Sequence, residues 1–146
     1  MIRQDILNAL RSDFLTITTE NGYNNFISKA HKRYKELENM SDTDFDSVFI
    51  GFGTAVNNKD GEANSIWDVP VMSVVYFKTN TDLDNEGLLE TKAESLIEDV
   101  ENLVFNNTQI LDSVISLDLL TITPYITIQE NVGFLMIEYK LTYIGV

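Results

Sequence analysis

Cysteine is missing altogether, proline occurs twice, and histidine and tryptophan once each. The first absence excludes disulfide frameworks, thiolate zinc sites and cysteine nucleophiles together. A histidine-centred triad would have to be built on His31 alone. Long apolar runs are missing too: the longest, VPVMSVVYF from Val69 to Phe77, is far too short to span a membrane as a helix. The opening MIRQDILNAL has polar residues in every short window and no signal-peptide core, so a soluble, intracellular protein is expected. Dinucleotide, P-loop, zinc-protease and nucleophile-elbow patterns are absent.

Basic charge is also scarce. Ten Lys and Arg stand against 23 Asp and Glu, a formal net charge of −13 that repels nucleic acid and anionic membranes at long range. The balance is uneven: residues 1–40 carry six Lys/Arg and five Asp/Glu, so nearly all the acidity lies beyond Met40. Such asymmetry suits head-to-tail contact between copies, and it equally describes a scatter of solvated charges. What is present is apolar material, 44% hydrophobic and 10% aromatic. That is enough for one domain spanning residues 1–146 to bury a core without metal or disulfide help.

Ile2, Ile6, Leu7, Leu10, Phe14 and Ile17 recur at helical spacing and predict a first helix over about 2–18. In ITTENGY, residues 17–23, the Asn21-Gly22 pair then falls at a helix end and is expected to cap it, Gly22 taking the left-handed conformation. YNNFISKAHKRYKEL, residues 23–37, alternates as a strand with a wet basic face of Ile27, Lys29, His31, Arg33 and Lys35. An acidic loop follows, then a short strand SVFIGFG in which Gly51 marks a bulge or a close backbone approach. Residues 54–68 show no useful periodicity. VPVMSVVYFK is apolar on both faces, as a central strand covered on both sides would be.

The clearest helix has Leu89, Ala93, Leu96, Ile97, Val100, Leu103 and Val104 on one stripe, with Asp84 or Asn85 to cap its start and Asn106-Asn107 to end it. Two long strands close the chain, SVISLDLLTITPYITIQ and VGFLMIEYKLTYIGV, joined near QENVG. In the first, the apolar phase moves from Ile115, Leu117 and Leu119 to Leu120 and Ile122, which predicts a bulge or bend before Pro124. The expected fold is α+β: a mainly antiparallel or mixed sheet with two amphipathic helices packed on one face.

Candidate functional residues are few. Lys29, Lys32, Arg33 and Lys35 form the one basic cluster, interleaved with Phe26 and Tyr34, which fits a protein partner such as an acidic neighbouring copy, or phosphates and stacked bases. Glu86, Glu90, Glu94 and Glu98 follow one another at spacings of four, with Glu101 beyond and only Lys92 to offset them. The row reads as a solvated face, a divalent cation site, or a surface that DNA does not stick to. Trp67 fits an interface hot spot or a core-edge anchor. His31 sits between Lys29 and Arg33 with no carboxylate to orient it, and reads as a surface strand residue.

The amphipathic first helix with LRSDFLTITTENGY, then VPVMSVVYF, the AESLIEDVENLVF helix and the closing strands ending IEYKLTYIG resemble the tail terminator, or tail completion, proteins of tailed bacteriophages. The resemblance covers most of the chain, and the segment from Gly53 to Asp68 departs from it. It implies a structural virion protein of the tail or neck, assembled in the host bacterial cytoplasm, with no catalytic residues and no cofactor. It implies a homo-hexameric ring that caps the head-proximal end of the tail tube, ends polymerisation and presents a joining surface to the head. The implied partners are the tail tube protein, a head-completion or connector protein, and the sheath or its terminator if the tail is contractile, with no membrane, and DNA only as cargo passing through. Another neck or head-completion ring protein, or a small nucleic-acid-binding adaptor using residues 29–35, are the alternatives.

Overall fold

The computed structural model describes residues 2–58, 65–79, 86–106, 112–127 and 131–145. Its elements are α1 (Ile2–Phe14), β1 (Lys29–His31), β2 (Ser47–Phe52), β3 (Val56–Asn58), β4 (Ser65–Lys78), α2 (Glu86–Asn106), β5 (Val114–Thr127) and β6 (Val132–Gly145). The strands make one six-stranded sheet in the order β1-β2-β4-β6-β5, with β3 also pairing β4. β1 runs parallel to β2 and every other pair is antiparallel, so the sheet is mixed and the chain is an α+β fold.

Alternation explains how the layers form. Val69, Val71, Val75 and Phe77 of β4, and Leu135, Ile137, Tyr139, Leu141 and Tyr143 of β6, point to one face. Against them pack Ile6, Leu10 and Phe14 of α1 and Leu89, Ala93, Leu96, Val100 and Leu103 of α2, which forms the main core. Tyr139, buried on this face, donates its hydroxyl hydrogen bond to Ser73 Oγ at 2.7 Å, so its polar end is satisfied. Burial pushes its phenol well above the ordinary tyrosine value. On the opposite face, Phe45, Val74 and Tyr76 make a second, smaller core with Leu37, Met40 and Phe49. The segment after β1, including two one-turn 3-10 helices (Leu37–Asn39 and Asp42–Asp44), carries its share of that small core.

Several expectations change. The first helix stops at Phe14 rather than near residue 18: Ile17 is fully buried, but its amide donates to Phe14 O in a tighter turn. Gly22 is left-handed at φ +90, yet the unit that it caps is a separate 3-10 turn, Thr19–Asn21, begun by Thr18. The strand expected over residues 23–37 shrinks to Lys29–His31. Asn24 and Asn25 are held instead by the buried carboxylate of Asp99, which accepts from both backbone amides at 2.8 and 3.0 Å and from the Asn25 side chain at 3.0 Å. Those amides therefore go to a helix side chain rather than to a ladder.

Gly51 makes no bulge and pairs regularly with Met72. The close-approach reading fits, because a Cβ there would meet the Phe49 ring at 3.2 Å. Residues 54–68, expected to lack pattern, contain β3 in a hairpin with β4. β2 and β3 lie end to end along β4, and Pro70 sits where they part. Its carbonyl accepts from Gly53 N at 2.8 Å, so its missing N–H faces the same gap.

In β5 the register shifts between Leu119 and Thr121, as the phase change predicts, and again between Val114 and Ser116. Leu120 and Ile115 are nevertheless not core residues: they are 60% and 46% exposed, because each bulge turns its extra residue outward. Asp84, Asn85, Asn107, residues 59–62 and residues 128–130, where the last two strands are expected to join, lie outside the described residues.

Candidate interaction surface

A serine, a histidine and an aspartate do converge, at the start of β2. His31 Nε2 lies 2.9 Å from Ser47 Oγ and 3.2 Å from the backbone oxygen of Asp44, and Ser47 Oγ donates to that same oxygen at 2.5 Å. With its one hydrogen committed, the hydroxyl accepts from Nε2–H, which is the reverse of the polarity that a general base needs. Ser47 is also fully buried. The cluster is a fastener between β1 and the acidic segment, and it corrects the expectation of a surface histidine: His31 is half-buried, edge-on to Tyr76 at 6.2 Å.

The fastener holds the basic segment in place. The side chains of Lys29, Lys32 and Arg33 are exposed and make no hydrogen bond or ion pair among the described residues. Lys35 differs: its ammonium pairs with Asp44 at 3.3 Å, and its carbonyl accepts from Tyr76 Oη at 2.7 Å. Asp44 also takes the Ser41 amide in a capping box, and that hydrogen bond, helped by the Ser41 hydroxyl and Lys35, lowers its carboxyl to about 2. Tyr34 is spoken for as well, edge-on to Phe49 at 5.8 Å.

On α2, Glu90, Glu94, Glu98 and Glu101 are all exposed, opposite the buried stripe. Lys92 does not offset them. Its ammonium turns inward to Asp46 Oδ1 at 3.1 Å and Lys78 O at 2.8 Å. The carboxylates stand a turn apart without converging, and no group of three or more metal-binding side chains occurs among the described residues. Trp67 is half-buried on the helix side of β4, packed against the main core and close to Gly145.

One surface escapes sequence reasoning. Beyond the small core, the helix-free face of the sheet is open, and a trough of about 580 Å³ crosses it, lined by Phe49, Gly51, Pro70, Met72, Leu120 and Glu138, among others. A smaller depression of about 230 Å³ continues it through Pro70 and Leu120 to Val56. Gly51 supplies the low floor, and the bulge at Leu120 raises a wall. Glu138 accepts from Thr121 Oγ1 at 3.2 Å, so the charge at the floor is partnered. The sequence carries two signals of this surface, an interior strand glycine and a broken apolar phase, and neither points to the other.

No known protein family and no curated protein matches the sequence.

Proposed function

We propose that the protein is a structural ring subunit of a tailed bacteriophage, a tail terminator that caps the head-proximal end of the tail tube, ends its polymerisation and offers a surface to the head. The observation that carries the assembly role is the apolar trough on the helix-free face, an exposed concave surface that with its continuation gathers Leu120 and Val56, the two most exposed large hydrophobic residues described. The narrower assignment to a tail rests on the sequence resemblance. The Ser47–His31 geometry supports a role without catalysis, since its polarity is wrong for a nucleophile. Distinct charged patches at the basic segment and on α2 suit a subunit that meets unlike neighbours on its two sides.

The test is to mix purified protein with tail tubes and image the tube ends, with mass measurement of the free protein. Ring-shaped density at one end, and tubes that no longer elongate, are expected. Tubes that bind nothing at either end would overturn the reading.

A further inference from the structure

We infer that Lys29, Lys32 and Arg33 of one subunit dock on the carboxylate row of α2, Glu90, Glu94, Glu98 and Glu101, in a second copy of this chain. The inference deepens the ring reading and rests on it, because it names the contact through which neighbours would join.

The starting point is an imbalance that the fold leaves unresolved. Carboxylates outnumber cations 23 to ten, so a cation here finds a partner easily, as Lys35, Lys78 and Lys92 do. Three cations within five residues are exposed all the same, with no partner among the described residues. They are also held in place. β1 is laced to β2 in parallel register, His31 is bonded to Ser47 and Asp44, and Tyr34 rests on Phe49. With the backbone already ordered, only the rotamer freedom of the three side chains is lost on meeting a partner.

The carboxylate row is fixed in the same way. Leu89, Ala93, Leu96, Val100 and Leu103 bury one side of α2, and Asp99 ties its flank to Asn24 and Asn25. Like charges one turn apart repel each other, and the helix's own lysine has turned inward. The row therefore gains more from an external cation than an isolated glutamate would.

Charge complementarity points to another copy as the partner. β1 forms one edge of the sheet, and α2, although tied through Asp99 and Lys92 to Asn24, Asn25 and Asp46 beside that edge, carries its row opposite its buried stripe, with no ion pair between strip and row within the subunit. A strip on one copy that meets a row on the next is a heterologous contact that repeats from subunit to subunit, closing into a ring where the rotation allows. Nucleic acid fits the strip less well, because the net charge of −13 opposes its approach.

Charge reversal tests this with an internal control. Lys32→Glu/Arg33→Glu spoils the strip, and Glu94→Lys/Glu98→Lys spoils the row. Each variant alone meets a like charge at every contact. Mixed in equal amounts, they restore opposite charges at every contact in strict alternation, which a ring with an even number of subunits can accommodate. Assembly is read by sedimentation velocity, with and without tail tubes, and circular dichroism checks that each variant is folded. Each variant should assemble at least about tenfold more weakly than the parent, with recovery on mixing. Variants that assemble like the parent would overturn the contact and leave the ring reading standing. A parent that neither self-associates nor engages tubes would overturn both. Steeply salt-dependent DNA binding by the parent, lost in Lys32→Glu/Arg33→Glu while assembly is unimpaired, would assign the strip to nucleic acid instead.

Discussion

β4 and β6 each run for 14 residues and divide their side chains between two unlike environments. On the helix side, Val69, Val71, Val75, Phe77, Leu135, Ile137 and Leu141 are at most 2% exposed. On the other side, Val74 and Tyr76 are buried beneath the segment that follows β1, whereas Pro70, Glu138 and Lys140, farther along the same strands, lie open. Folding alone completes the first face. It completes only half of the second, and the unfinished half holds the trough. Burial thus differs between opposite sides of the same two strands, and substitutions on each side should behave differently.

The largest effect is expected on the finished side. Leu141→Ala removes a fully buried side chain from the middle of β6 and should cost about 3–4 kcal/mol in denaturant unfolding. A loss below about 1 kcal/mol would mean that the helices do not seal this face. Asp99→Ala comes next, at roughly 2–3 kcal/mol, because it leaves the amides of Asn24 and Asn25 without their charged acceptor. Asp99→Asn keeps the shape but turns an NH2 towards groups that are themselves donors, so it should lose nearly as much. A near-native Asp99→Asn beside a destabilised Asp99→Ala would show that packing, not hydrogen bonding, is what Asp99 supplies.

This asymmetry also marks what is legible in the sequence. Both helix stripes and the alternation of β6 can be read because one face of each is buried, and burial imposes a period. The 24–28 segment misleads for the opposite reason. Its amides at Asn24 and Asn25 are satisfied by Asp99, 75 and 74 residues away in sequence, and a pairing that distant leaves no local pattern. Among the candidate residues, the sequence identifies charges but not their partners: Lys35 and Lys92 are engaged within the subunit, and Lys29, Lys32 and Arg33 have no partner among the described residues. The trough is illegible because it is built from rows brought together only by the sheet, and its two clues, Gly51 and Leu120, lie 69 residues apart.

A smaller effect concerns the turn that leads from α1 into the sheet. Gly22 holds φ +90 with open space where a Cβ would stand, so Gly22→Ala is opposed only by backbone strain, about 1 kcal/mol. A variant as stable as the parent would show that the turn relaxes to ordinary angles. On the half-finished face, burial pushes Tyr76 up to about 12, and only its neutral phenol can donate the hydrogen bond to the Lys35 carbonyl. Well below pH 10 the phenol is neutral folded or unfolded and adds no pH dependence. Above 10 the unfolded chain ionises first, so stability should fall as pH rises from 10 towards 12. Tyrosine absorbance in the near ultraviolet should show the same group resisting ionisation until unfolding begins, and Tyr76→Phe should remove its share of that decline.

The smallest change in stability carries the most weight for function. Leu120 is 60% exposed, so Leu120→Ser removes little that folding has buried and should shift stability by no more than about 0.5 kcal/mol. Its side chain nevertheless lines both parts of the trough, together with Pro70. If the open half of the sheet is an association surface, the variant should unfold like the parent and yet engage tail tubes more weakly, since apolar area that was to be covered is gone. Leu141→Ala supplies the contrast, losing stability through the finished face. A Leu120→Ser protein that loses more than about 1 kcal/mol would place Leu120 under cover within the subunit and end the distinction between the faces. One that keeps both its stability and its tube binding would move the association surface elsewhere, and would leave the charged strip and the α2 row as the surfaces through which subunits meet.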